Sequence, residues 1–229
     1  MKRLFIATIL IISACDQISN FSKAKEQPIK QIQGEITFAT AQQQQQALDQ
    51  ELGDHIIRTM NHVNSPLTPI KRQLLAQMLV QVANNTFETM DQKKDWIRVL
   101  GIESKFDNTA RSPVNATGIG QIMPQFVLTF GKYCGLKGLV ESDVEDVLVN
   151  TTLSACVWRR MLETVPDHSV ILALSAYNSG PSSSSTKNIQ KLGSAVPETA
   201  NYITRFSYLK EVTDNPKDKA NGKNSYHGK

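Results

Sequence analysis

Charge of one sign is scarce in this chain. The formal net charge is only +4 over 229 residues, and the lysines and arginines form no stripe interleaved with aromatics, which argues against nucleic acid as a partner. Long apolar runs are missing too. The strongest, Leu4 to Ile12, is interrupted by Thr8 and is too short to cross a bilayer as a stable anchor. No strand-like alternation appears between helical patterns, which excludes a doubly wound sheet. Metal-ligand clusters are lacking. His55 and His62 stand two helical turns apart, roughly 10 Å of rise and too far to share one ion, so they read as ordinary, partly exposed histidines and no metal or cofactor is expected. With three cysteines in all and no supporting block around any of them, Cys–His nucleophilic chemistry is excluded as well.

What is present is helical periodicity framed by polar ends. Met1-Lys2-Arg3 is basic, the apolar run follows, and Ile12-Ser13-Ala14-Cys15 resembles a bacterial lipobox, so residues 1–15 read as an export signal ending at a lipidated Cys15. Plain cleavage, leaving Cys15 as a free thiol, is the alternative. Residues 16–46 read as a polar linker with the run Gln42 to Gln46; as a flexible coil they would span roughly 30 Å. Helical spacing begins with Leu48, Leu52, Ile56, Met60 and Val63, and a second helix carries Ile70, Leu74, Leu75, Met78, Leu79 and Val82. The acidic group Glu141, Asp143, Glu145 and Asp146 opens a helix to about Thr164, Asp167 is expected to cap a helix over 169–177, Ser182 to Ser185 read as a loop, and Pro197 opens a last helix to about Val212. Residues 213–229 are polar and expected to be disordered. The organisation is thus one all-α domain over 47–212, about 165 residues and enough for a single core.

One stretch concentrates the chemistry. Trp96, Val99, Leu100 and Glu103 share a helical face, three large apolar groups and one carboxylate. Beyond Phe106 the pattern breaks into turn residues, among them Asp107, Asn108, Pro113, Gly118 and Gly120. Glu103 therefore ends a helix on its inward face with a loop folded over it. Apolar surroundings and the negative end of the helix dipole both disfavour its charged form, so its pKa is expected to rise until the group can donate a proton near neutrality.

The residues around it resemble the lytic transglycosylases of the soluble type. The matching blocks are Glu103-Ser104, Ser112-Pro113-Val114-Asn115-Ala116, Gly118-Ile119-Gly120-Gln121 with Met123-Pro124, Ala176-Tyr177-Asn178-Ser179-Gly180, and Pro197-Glu198-Thr199-Ala200-Asn201-Tyr202-Ile203. Two positions depart from the usual pattern: Gly120 stands where Met is common, and Asn115 where Gly is usual. The resemblance implies a lysozyme-like fold, Glu103 as the single catalytic acid and base, and a glycan cleft lined by Ser104, Ser112, Gln121, Met123, Tyr177, Asn178, Glu198 and Tyr202. It implies peptidoglycan strands as substrate, cut between N-acetylmuramic acid and N-acetylglucosamine with formation of a 1,6-anhydro end. A goose-type lysozyme-like hydrolase and a non-catalytic glycan-holding factor of a secretion or conjugation machine are the competing readings.

The anchor and the cysteines complete the expectation. A lipid on Cys15 would place the protein on the periplasmic face of a bacterial membrane. It would leave Cys134 and Cys156 as a pair in an oxidising compartment. A bridge between them closes a loop of about 22 residues and is worth roughly 3 kcal/mol by the chain-entropy argument; two reduced, buried thiols are the alternative.

Overall fold

A computed structural model describes residues 37–215, and these fall into two compact units that part after Gln50. The first described helix, α1, covers residues 37–62. The stretch 37–46 is thus helical where a linker was expected, and the Gln42–Gln46 run lies inside it. Its side chains are all exposed, so no apolar stripe marks it in the sequence; Gln45 Nε2 donates to Asp49 at 2.7 Å.

The unit from Glu51 onward holds the core. α2 (Pro69–Thr86) starts on Thr68, with proline in its first turn. α3 (Met90–Ser104) starts on a Thr89–Gln92 capping box. α4 is Val127–Tyr133 and α5 is Val147–Thr164, capped by the Asp146 side chain. α6 (Val170–Ser179) is capped by Ser169, α7 (Ser184–Leu192) by Ser183, and α8 runs Pro197–Asp214. Among the described residues, β structure amounts to two isolated bridges that join Thr117 to Arg111 and to Ile122.

Several boundaries differ from the sequence reading. Glu141–Glu145 forms a separate 3-10 turn, and the α5 helix begins only after Asp146. Asp167 takes a left-handed conformation in a 3-10 turn and does not cap α6. Ser184 and Ser185, expected in a loop, begin α7. α8 continues past Val212 to Asp214. His55 is fully buried, not partly exposed; burial first, then the positive charges of Arg98, Lys94 and Arg58, lower its pKa to about 3 and keep it neutral.

α3 is the axis of the core. Trp96, Ile97, Val99 and Leu100 are each fully buried, and a helix buried around its whole circumference must be wrapped by its neighbours. Even Arg98 is inside. Its charge is balanced by Asp95 at 2.6 Å and by Asp214, with Thr213 Oγ1 accepting at 3.1 Å. The last residues of α8 are thereby tied to α3, although 213–229 was expected to be disordered; residues beyond 215 lie outside the described part. A satellite core of Ile122, Val127, Val144 and Leu153 sits under α4. A disulfide joins Cys134, just after α4, to Cys156 in α5, with the Cα atoms 6.0 Å apart.

Candidate active site

The site is built where α3 ends. Lys105 and Phe106 both adopt left-handed backbone conformations (φ 56° and 64°), which stops the helix abruptly. Glu103, one residue before the end of α3, is left half-buried at the turn. The chain then returns over it as the segment 107–123. Ser104, expected to contact substrate, is buried; its Oγ donates to the Ile119 carbonyl at 2.9 Å and so pins this segment to the end of α3. Asn115 sits at φ 65°, a conformation glycine adopts freely and asparagine tolerates, so the departure from glycine there leaves the turn intact.

Glu103 has two phenols near it. Tyr202, buried in α8, donates its hydroxyl to Glu103 Oε1 at 2.6 Å. Burial raises the Glu103 pKa from the ordinary 4.5 to about 7; the Tyr202 hydrogen bond and the Arg205 charge hold it from rising further. Arg205 also donates from Nη2 to the Ile102 carbonyl at 2.8 Å, one of the carbonyls α3 leaves without a helical partner. Tyr177 of α6 donates to the Gly120 carbonyl at 2.8 Å. Its own pKa is raised, by burial first and then by the Glu103 charge, so both phenols stay protonated across the ordinary pH range.

Several of the remaining expected site residues are held by contacts of their own. Gln121, at φ 50°, is half-buried and donates to the Gly118 carbonyl at 2.9 Å. Met123 is half-buried ahead of the Pro124–Phe126 turn. Ser112 Oγ accepts from the Val114 and Ala116 amides at 3.3 and 3.0 Å, so its oxygen serves its own turn. Asn178 Oδ1 accepts from Thr199 at 3.5 Å, and Glu198 stands exposed in the first turn of α8. The other carboxylate of the segment, Asp107, is occupied by Thr109, whose amide and hydroxyl reach its Oδ1 at 2.8 and 2.7 Å. Among the described residues no group of three His, Cys, Asp or Glu side chains could hold a metal.

The sequence reading missed three members. Arg205 lies one turn beyond Tyr202 on α8, so the helical spacing of 198, 202 and 205 could have revealed it. Asn150 and Ser154, one turn apart on α5, are both buried. Asn150 Oδ1 accepts from the Gly120 amide at 2.7 Å, and its Nδ2 donates to the Thr117 and Val144 carbonyls at 2.8 and 2.9 Å. Polar residues at core positions of a helix were the available signal.

A family model described as the transglycosylase SLT domain matches residues 78–195, from within α2, through Glu103 and the Gly-rich turn, to just beyond α7. The chain belongs to the transglycosylase SLT domain family. The α8 residues Glu198, Tyr202 and Arg205 lie beyond the matched segment. Among solved structures, this SLT chain is similar to an inactive Glu-to-Gln mutant of the lytic transglycosylase Slt from Pseudomonas aeruginosa. The TM-score is 0.52 and the identity 22%, over 61% of this chain and 24% of that one. The likeness establishes a lysozyme-like fold, and the SLT chain spans about a quarter of the length of that protein. No curated protein matches it.

Proposed function

We propose that this SLT chain is a lytic transglycosylase that cuts the β-1,4 bond between N-acetylmuramic acid and N-acetylglucosamine in peptidoglycan, with Glu103 as acid and then base. The observation that carries this reading is the state of Glu103: a half-buried carboxyl raised to about 7 and held by Tyr202. A group that must give a proton and take one back works best with a pKa near the working pH.

In the proposed reaction Glu103 protonates the bridging oxygen as its bond to C1 breaks, and the substrate's 2-acetamido group stabilises the positive charge that develops. Tyr202 and Arg205 steady the carboxylate that remains. Glu103 then removes the proton of the muramoyl C6 hydroxyl as that oxygen closes on C1. The proton returns to Glu103, a 1,6-anhydro ring forms, and no water is consumed. Ordinary glycosidases use two carboxylates. Here Asp107 is engaged by Thr109 and Glu198 is exposed, which supports a one-carboxyl route. Gln121, Met123, Tyr177, Asn178 and Glu198 are proposed to line the glycan cleft, and Ser104 and Ser112 to shape the turn beside it.

The domain division follows the same reading, with the catalytic domain carried on a lipid anchor at Cys15, on the periplasmic face of a membrane. Cys15 lies outside the described residues. Digestion of purified sacculi tests the activity. Glu103→Gln keeps the shape of the site but cannot cycle a proton, so turnover should fall by at least ~100-fold while binding to sacculi is retained. Near-normal turnover by the variant would place the acid elsewhere.

A further inference from the structure

Ser154 belongs to a chain of hydrogen bonds whose direction is fixed by counting protons. Trp96 Nε1, which can only donate, gives to Ser154 Oγ at 3.1 Å. The Tyr177 hydroxyl has one proton and gives it to the Gly120 carbonyl at 2.8 Å. The 2.9 Å contact between Ser154 Oγ and Tyr177 Oη must therefore carry the serine proton to the tyrosine oxygen. The relay runs Trp96 to Ser154 to Tyr177 to Gly120, with every proton committed. Both backbone polar groups of Gly120 are held by this arrangement, since its amide donates to Asn150.

The space for this relay exists because residue 120 has no side chain. A Cβ there would lie 2.4 Å from Ser154 Cβ and 2.8 Å from its Oγ, distances no carbon can hold. The absence of a side chain at 120 thus lets α5 bring Ser154 directly behind the Gly-rich turn.

We infer that Ser154 is a positioning residue of the active site: it fixes the Tyr177 hydroxyl on the Gly120 carbonyl, so that of the two phenols beside Glu103 only Tyr202 donates to the carboxyl. The inference rests on the assignment of Glu103 as acid and base. The groups that face Glu103 are Tyr202 and Arg205 from α8 and Tyr177 from α6. Without the serine proton, the Tyr177 hydroxyl loses the donor that orients it and is free to turn toward the neighbouring carboxylate. A second donor to the charged form favours that form and weakens Glu103 as an acid.

The test uses the full chain on purified sacculi. Ser154→Ala should lower kcat about tenfold, the rate equivalent of one neutral hydrogen bond, with KM within about twofold. The alkaline midpoint of the rate should fall, and the same fall should appear in the titration of an isotope-labelled Glu103 carboxyl without substrate. In a Tyr177→Phe background, Ser154→Ala should produce no further shift of either midpoint. If Ser154→Ala does not fold, Ser154→Cys carries the same comparison with a weaker donor. Wild-type kcat and midpoints in the Ser154 variants, alongside an inactive Glu103→Gln, would overturn this inference and leave the proposed function standing. A shift that persists unchanged in the Tyr177→Phe background would also overturn it, because Ser154 would then act by another route. An active Glu103→Gln would overturn both.

Discussion

Replacing Glu103 by Gln should stabilise the protein, and only at neutral to alkaline pH. Below the ordinary glutamate value of 4.5, folded and unfolded chains both carry the Glu103 proton. Between 4.5 and about 7 the unfolded chain releases it while the folded chain retains it. The folded state then binds more protons, so its stability falls as pH rises through this window. At 1.36 kcal/mol per pH unit the gap amounts to roughly 3 kcal/mol, fully felt above about pH 7. Gln carries no charge to desolvate and still offers an oxygen to the Tyr202 hydroxyl. Urea unfolding of wild type and Glu103→Gln at pH 4 and pH 8, with constant salt, measures the difference. The variant should match wild type within about 0.5 kcal/mol at pH 4 and exceed it by roughly 2–3 kcal/mol at pH 8. An equal difference at both pH values, or a loss at pH 8, would show that the carboxyl is not held protonated by burial.

Three further outcomes follow from the same structure. Arg98→Ala leaves the Asp95 carboxylate buried and frees the end of α8, so urea unfolding at pH 7 should show a loss of about 3–5 kcal/mol; a loss below about 1 kcal/mol would mean the cluster is already solvated. Arg205→Gln removes a positive charge that lowers the Glu103 pKa, so the alkaline midpoint of the rate should rise, by no more than about half a unit because the guanidinium is exposed; a fall would contradict the sign. Cys15→Ser should not take up labelled fatty acid that the wild type incorporates, and equal labelling of both would remove the lipid anchor from the account.

The position of Glu103 was legible because two local signals coincide on it. Apolar residues at helical spacing put Glu103 on the inward face, and the turn residues after Phe106 put it at the end of the helix. What escaped was held together by long-range contacts. Arg205 acts on Glu103 from α8, and no local spacing around Glu103 contains it. The resemblance put Ser104 in the cleft, yet its hydroxyl donates to the Ile119 carbonyl, a partner visible only once the turn is folded back. Arg98 is buried in α3 with one local partner, Asp95 a turn earlier, and one remote partner, Asp214 at the end of α8; only the first lies within reach of local spacing. At the edges the reasons were local. Residues 37–46 form helix with no buried face, so periodicity has nothing to register. The serines before α7 read as loop, although Ser183 is the cap that starts the helix.

The most direct test of the central claim is the chemistry of the sugar ends released from purified peptidoglycan, read by mass spectrometry. If Glu103 serves alone as acid and base and the muramoyl C6 hydroxyl is the nucleophile, wild-type protein releases 1,6-anhydro ends, which are lighter than reducing ends by one water, and Glu103→Gln releases neither. Reducing ends from the wild type would show that water attacks C1 and that the chain is a hydrolase built on the same carboxyl.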